Sequence, residues 1–102
     1  MSKTNLSLSN QETKIAIESL SMDLMRVALG YHRRSTSMAK RFSQEALKRC
    51  QEIRSSEIKP YFVRILKKIP FILEVSDKNI LAENALMYSI ICKNYAKKFY
   101  KI

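Results

Sequence analysis

The sequence predicts an all-α protein, a small four-helix bundle with mostly antiparallel helices and a short third helix. Its 102 residues include one Gly and two Pro, whereas a β-sandwich or barrel needs a turn about every 8–12 residues. Apolar residues recur at three- and four-residue spacing along most of the chain, which is typical of amphipathic helices. The apolar fraction of 46% excludes a wholly disordered chain. We therefore expect one helical domain over residues 9–102, after a polar N-terminus, residues 1–8, that frays.

The first predicted helix covers residues 10–29. Ser9 and Glu12 have the spacing of a capping box, in which each side chain bonds a free backbone amide of the first turn. The only glycine, Gly30, is placed where a left-handed residue commonly ends a helix. An apolar stripe connects the two ends and consists of Ile17, Leu20, Leu24, Val27 and Tyr31.

A polar connection, residues 31–37, leads to the second predicted helix. Ser35 or Ser37 is suited to cap it, and the pair Ser55 and Ser56 closes it. Its core face consists of Ala39, Phe42, Ala46, Cys50 and Ile53.

Two prolines bound the third predicted helix. Pro60 suits a first helical turn, and Pro70 disfavours a helical residue before it and is expected to end the helix. Ser76 or Asp77 caps the last helix, about residues 78–100, whose core face consists of Leu81, Ala85, Tyr88, Cys92, Tyr95 and Phe99.

Positive charge is concentrated in the middle of the chain. The net charge is +10. Residues 26–69 contain twelve Lys and Arg against three Glu, and therefore carry a net charge of +9. Such a concentration is the electrostatic footprint of a protein that contacts nucleic acid or another polyanion.

The predicted binding surface begins where the second helix starts. A helix N-terminus offers free amides and a partial positive charge, and arginine forks would neutralise a bound phosphate. Further along the chain, Arg54, Arg64, Lys67 and Lys68 could extend the surface. The candidate residues are Arg33, Arg34, Ser37, Lys40, Arg41, Lys48 and Arg49.

A solvated, salt-bridged helix surface is the alternative. Glu45 and Arg49, and likewise Lys48 and Glu52, are opposite charges four residues apart. A helix-turn-helix is not predicted, because a seven-residue connection is longer than the turn of that motif. The sequence therefore favours a basic binding surface, but it contains no motif that identifies a nucleic-acid-binding family.

Self-association or binding of another protein is the second predicted function. Helices 1 and 4 each carry an additional row of apolar residues, and methionine adapts well to partner surfaces. A small core also gains stability from association. The expected interface of a homodimer or higher oligomer consists of Met22, Met25, Leu29, Ile80, Met87 and Ile90.

Catalytic and metal-binding patterns are not found in the sequence. His32 is the only histidine, and Cys50 and Cys92 are far from it in sequence, so no zinc-ligand spacing occurs. A single glycine leaves no phosphate-binding loop. We therefore expect a non-enzymatic protein without cofactor or metal. The N-terminus has no apolar signal sequence and the apolar runs are short, so we also expect a cytoplasmic protein without integral membrane association.

Overall fold

A computed structural model describes the backbone of residues 2–99 and the side chains of residues 10–98. None of these residues forms a β-strand. The predicted all-α bundle with a short third helix is therefore confirmed. A single 3₁₀ turn, Ser55–Glu57, separates the second and third helices. The four α-helices are α1 (Ser2–His32), α2 (Thr36–Glu52), α3 (Pro60–Ile72) and α4 (Lys78–Phe99).

Helix α1 is the centre of the bundle. It packs along α2 on one side and along α4 on the other, while α3 makes smaller contacts with α2 and α4. A second, smaller apolar cluster lies near the α1–α2 turn around Val27 and Leu81. The main core draws on all four helices and includes Ile17, Leu20, Leu24, Ala46, Phe62, Leu66, Ile69, Cys92 and Ala96.

Two buried serines join α1 to α4. The Ser21 hydroxyl donates to the Ser89 carbonyl at 2.7 Å, and the Ser89 hydroxyl donates to the Ser21 carbonyl at 2.8 Å. Each hydroxyl therefore satisfies its donor inside the bundle, where an unpaired polar group would be costly. Their small side chains also allow the two helices to pack closely at this level.

Tyr95 of α4 holds the start of α3. Its ring stacks on Phe62 with centroids 4.0 Å apart, and Tyr61 meets it edge-on at 5.8 Å. The Lys59 backbone N–H, directly before α3, donates to the Tyr95 hydroxyl at 2.8 Å. Tyr95 thus fixes the start of α3, and the buried Leu66 and Ile69 hold the rest of the helix against the core.

Gly30 has a different role from the predicted one. It lies inside α1 and does not adopt a positive φ, so the predicted left-handed helix end at Gly30 is wrong. An added Cβ would lie 2.8 Å from the backbone nitrogen of Ala39 and 2.9 Å from its Cα. Glycine is therefore needed for the close approach of α1 to α2. Arg34 instead adopts the left-handed conformation, with φ 59°.

The predicted start of helix 1 near residue 10 is also wrong. α1 starts at Ser2, so Ser9 and Glu12 lie within the helix and do not form a capping box at its end. Neither Gly nor Pro occurs in residues 2–9 to stop the helix. The predicted fraying of residues 1–8 concerns a segment whose side chains lie outside the described residues, and it stays a prediction.

Pro70 does not end α3. The helix continues to Ile72, and the Leu73 N–H donates to the Ile69 carbonyl at 3.1 Å. Proline removes one backbone bond, but Ile69 is fully buried and Leu73 packs against the core. This burial holds the last turn in the helical conformation. The predicted cap of α4 is confirmed, because Asp77 Oδ1 accepts from the amides of Asn79 and Ile80.

Both cysteines are free thiols. Cys92 is buried in the main core, and the half-buried Cys50 packs against it. Burial raises the pKa of each thiol to about 12. Both side chains are therefore protonated and poorly nucleophilic at neutral pH.

The substitution Gly30→Ala is expected to destabilise the protein by about 1–3 kcal/mol, because overpacking at the α1–α2 contact exceeds the gain in helix propensity. Thermal or urea unfolding measures the change. Gln11→Ala, at an exposed position of the same helix, is the control and should be neutral or slightly stabilising. Equal or higher stability of Gly30→Ala would contradict the close approach.

Candidate anion-binding surface

A three-residue turn, 33–35, joins α1 to α2. The Ser35 N–H closes it by donating to the Gly30 carbonyl at 2.7 Å. The turn is shorter than the predicted connection, yet the two helices do not cross as in a helix-turn-helix. Contacts between α1 and α2 occur beside the turn, at Gly30 and Ala39, and again farther away, at Asp23 and Arg49. The helices are therefore an antiparallel hairpin.

The cations of the turn point to solvent. Arg33 and Arg34 are exposed, and so is Ser37 in the first turn of α2. Ser35 is the residue that precedes α2, but its side chain makes no capping hydrogen bond. The predicted side-chain cap by Ser35 or Ser37 is therefore wrong, because Ser37 lies inside the helix, which begins at Thr36.

The outer side of α2 carries a basic row. Ser37, Arg41 and Lys48 lie four and seven residues apart, opposite the buried Ala39 and Ala46. Lys40 is exposed beside this row. The guanidinium of Arg41 lies 5.6 Å from the centre of the Phe42 ring, and Arg26 of α1 lies 5.2 Å from it. Phe42 thus orients two guanidinium groups at the α1–α2 edge through cation–π contacts.

Arg49 differs from the other predicted cations. Its Nη1 donates to Glu52 at 3.0 Å, and its Nε lies 3.8 Å from Asp23 Oδ2. The predicted Glu45–Arg49 pair is thus replaced by a hydrogen-bonded ion pair with Glu52 and a longer ion pair with Asp23. Within the described part of the chain, Lys48 makes no ion pair with Glu52. Arg49 is therefore largely neutralised, whereas Lys48 is available to a ligand.

Asp23 is a buried carboxylate with an incomplete set of partners. It is 6% exposed, and neither its Oδ2 nor Arg49 Nε makes a hydrogen bond with any described group. Desolvation by burial raises the pKa of Asp23 and exceeds the opposing effect of Arg49, while Glu45 raises it further. The ionised form of Asp23 is thus less favourable in the folded than in the unfolded chain.

Helix α3 supplies further exposed cations. Three of its side chains are exposed opposite the buried Phe62 and Ile69, and α2 and α3 are neighbours in the bundle. Among the described residues, the only ion-paired arginines are Arg49 and Arg54. We define the basic face as the cations of the turn, α2 and α3 that are exposed and have no ion pair among the described residues, and it has eight members: Arg33, Arg34, Lys40, Arg41, Lys48, Arg64, Lys67 and Lys68.

An apolar groove of about 370 Å³ lies between the C-terminal half of α1 and the N-terminal half of α4. Met25 and Leu29 line its α1 side, Leu86 lines its α4 side, and His32 and Glu83 lie at its edge. Met22 precedes this row by one turn and is 52% exposed, and Ile90 follows Leu86 by one turn and is 48% exposed.

The six predicted interface residues lie at the groove and on the adjoining side of α4. Met22, Met25, Leu29 and Ile90 lie at or next to the groove, as described above. Ile80 and Met87 are exposed too. Met87 is three residues before Ile90 and four before Ile91, which lines a cleft beside Tyr61 of α3, so this row lies between the groove and the α3 side of α4.

Phe71 is a surface feature that the sequence analysis missed. It is 74% exposed, the highest value among the large apolar side chains of residues 10–98. A predicted helix end at Pro70 does not indicate that Phe71 is exposed, because Phe71 lies on the outer side of α3 only if the helix continues beyond Pro70. Its spacing of seven residues from Arg64 was the available signal.

Comparisons with protein-family models, with curated proteins and with solved structures find no match to this chain. Within residues 10–98, no three His, Cys, Asp or Glu side chains are grouped so that they could hold a metal ion. None of the described helices combines the length and the apolar character needed to cross a bilayer.

The substitution Asp23→Asn is expected to stabilise the protein at neutral pH. Because the folded-state pKa of Asp23 is raised, the native chain binds this proton more tightly than the unfolded chain, and stability is lost as pH rises above 3.8 through the raised value. Asparagine removes that loss. Unfolding curves should give the variant and the unmodified protein the same free energy of unfolding at pH 3, and should give the variant the higher value at pH 7. Glu83→Gln, an exposed control, should change neither, and a variant that is less stable at pH 7 would contradict the interpretation.

Proposed function

We propose that this protein binds nucleic acid, or another linear polyanion, through the basic face. The observation that carries the proposal is that eight exposed cations on the turn, α2 and α3 have no ion pair among the described residues. An unneutralised group of this size raises the local concentration of anions and releases counterions when phosphates replace them.

The distribution of carboxylates supports the same proposal. Glu52 and Glu57 pair with Arg49 and Arg54, and Glu45 lies near enough to Asp23 to affect its pKa. Among the described residues, the carboxylates of Glu52 and Glu57 thus neutralise Arg49 and Arg54 and do not pair with the basic face. The alternative of a salt-bridged, solvated surface is not favoured, because pairing leaves most cations of the region unneutralised.

A second candidate function is self-association through the apolar groove between α1 and α4. Met22, Met25, Leu86 and Ile90 are each between 38% and 52% exposed, and they lie on adjoining helices. Exposed apolar patches of this kind mark interaction sites. The basic face lies on the turn, α2 and α3, so two copies meeting at α1 and α4 would keep most of their positive charge apart. The two functions therefore use different sides of the bundle.

Removal of two turn cations is expected to reduce the salt dependence of polyanion binding. Arg33→Gln/Arg34→Asn deletes both charges, and asparagine tolerates the left-handed backbone at position 34. The slope of log K against log salt should decrease by about 0.9 for each lost phosphate contact. Fluorescence anisotropy with labelled DNA and RNA, single- and double-stranded, measures it.

Lys93→Gln/Lys97→Gln is the matched control, because it removes the same charge from exposed positions of α4. The control should bind with the slope of the unmodified protein. Equal losses in both variants would indicate diffuse electrostatics instead of a defined face. No binding of any nucleic acid at low salt would make the nucleic-acid proposal wrong.

The self-association candidate predicts twice the chain mass in light scattering at high micromolar concentration. Met22→Glu/Ile90→Glu should return the mass to that of one chain, because a buried interface would hold unpaired carboxylates. Phe71→Glu changes an exposed apolar side chain on α3 and should leave the mass doubled. A single-chain mass for the unmodified protein at every concentration would refute this candidate.

A further inference from the structure

The ring of Phe42 holds two arginines that belong to different helices. The guanidinium carbon of Arg26, in α1, lies 5.2 Å from the centre of the ring, and that of Arg41, in α2, lies 5.6 Å from it. Phe42 is partly buried and packs against the smaller apolar cluster around Val27 and Leu81, so the core fixes the ring. We call Arg26, Phe42 and Arg41 the arginine site.

Both arginines of this site have free hydrogen-bond donors. Neither side chain forms an ion pair or a hydrogen bond with another described residue. Arg41 is exposed and Arg26 is half-buried. Within residues 10–98, the buried side-chain nitrogen and oxygen atoms that lack a hydrogen bond belong to Asp23 and Arg49. The nitrogens of Arg26 are therefore in contact with solvent, and an anion can reach them.

The carboxylates one turn away do not pair with the site. Asp23 precedes Arg26 by three residues, but it is 6% exposed and its Oδ2 lies 3.8 Å from Arg49 Nε. Burial has the largest effect on the pKa of Asp23 and raises it, and Arg26 lowers this pKa less than Arg49 does. Glu45 follows Arg41 by four residues, but no ion pair joins them. The two guanidinium groups thus have no counter-ion among the described residues.

We propose that Arg26 and Arg41 bind phosphate groups of the polyanion, while the ring of Phe42 keeps their guanidinium groups in place. The inference rests on the proposed function. It specifies phosphate as the bound group, and it adds a residue of α1 that is not a member of the basic face. The planar fork of a guanidinium matches two oxygens of a phosphate, whereas the ammonium group of lysine acts as a point charge.

The aromatic ring offsets the repulsion between the two like charges. Both guanidinium carbons lie within 5.6 Å of the same point, and the negative face of the ring attracts each of them. Arginine has many rotamers, and ordering such a side chain on binding reduces affinity. Because the ring already limits the positions of both side chains, less conformational entropy is lost when a phosphate binds them.

A purely structural role of the two arginines is the alternative. Long arginine side chains cover apolar surface with their methylene groups, and Phe42 is only partly buried. Their removal would then change the free energy of unfolding but not the salt dependence of binding. The missing counter-ion favours a bound anion, and a phosphate site makes both the charge and the planar shape of each guanidinium group important for affinity.

The test measures the affinity of the full chain for a labelled DNA duplex and for labelled inorganic polyphosphate over a range of salt concentrations. Arg26→Lys and Arg41→Lys keep the charge and remove the fork. Each should weaken binding roughly 2- to 12-fold, the range for one net hydrogen bond, and leave the salt slope unchanged. Arg54→Lys is the matched control and should bind as the unmodified protein does, because Arg54 pairs with Glu57 and is not part of the basic face.

Two further variants separate the ring from the charge. Phe42→Leu keeps both charges and should weaken binding roughly 2- to 12-fold, the cost of ordering one released side chain, whereas Phe42→Tyr keeps the ring and should retain the affinity. Arg26→Gln should lower the slope of log K against log salt by about 0.9. Lys93→Gln, at an exposed position of α4, should not change the slope. Circular dichroism checks the folding of each variant, and the two lysine variants decide the question if Phe42→Leu does not fold.

The outcomes separate this inference from the proposed function. Weaker binding of both probes supports recognition of phosphate in general, and weaker binding of DNA alone supports recognition of the nucleic-acid backbone. If Arg26→Lys and Arg41→Lys bind as tightly as the unmodified protein while the double variant of the turn arginines loses slope, the arginine site is wrong and binding by the basic face stands. An unchanged slope for Arg26→Gln would assign Arg26 a structural role and would also overturn the inference. Failure of every form to bind either probe at low salt would remove both proposals.

Discussion

The central position of α1 is the constraint on which the rest of the structure depends. This helix packs along α2 and α4 at once, so its apolar surface is wide and its contacts use small groups. Gly30 meets Ala39 on the α2 side, and Ser21 meets Ser89 on the α4 side. Both contacts set the distance between helix axes. Larger side chains at these points would push α2 or α4 outward and open the core that α3 covers.

The architecture followed from periodicity, but both ends of α1 and the end of α3 did not. Apolar spacing identified the core residues Ile17, Leu20 and Leu24, since burial is a property of a whole helix side. Gly30 and Pro70 were misinterpreted because both residues were assigned their local conformational preference. Tertiary contact decided each case: a close approach to α2 at Gly30, and burial of Ile69 before Pro70.

The candidate surface was partly predictable for a similar reason. Helical spacing places Arg41 and Lys48 away from the core, and the structure exposes both. Spacing alone could not separate Lys48 from Arg49, because one of the two carboxylates paired with Arg49, that of Asp23, belongs to another helix. Phe71 was missed through the wrong helix end. The exposure of a charged side chain can thus be predicted from its spacing along one helix. An ion pair between two helices can be identified only once the fold is known.

The separation along the chain between contacting residues has a consequence for the order of assembly. The α1–α2 hairpin closes through a three-residue turn, whereas Ser21 and Ser89 are 68 residues apart. Short loops close with little loss of entropy and long ones with more, so we expect the hairpin to form before α4 docks. During synthesis α1 and α2 emerge before α4, and the side of α1 that receives α4 stays exposed until α4 has been made. Until α4 packs there, this apolar side of α1 is open to contact with another chain.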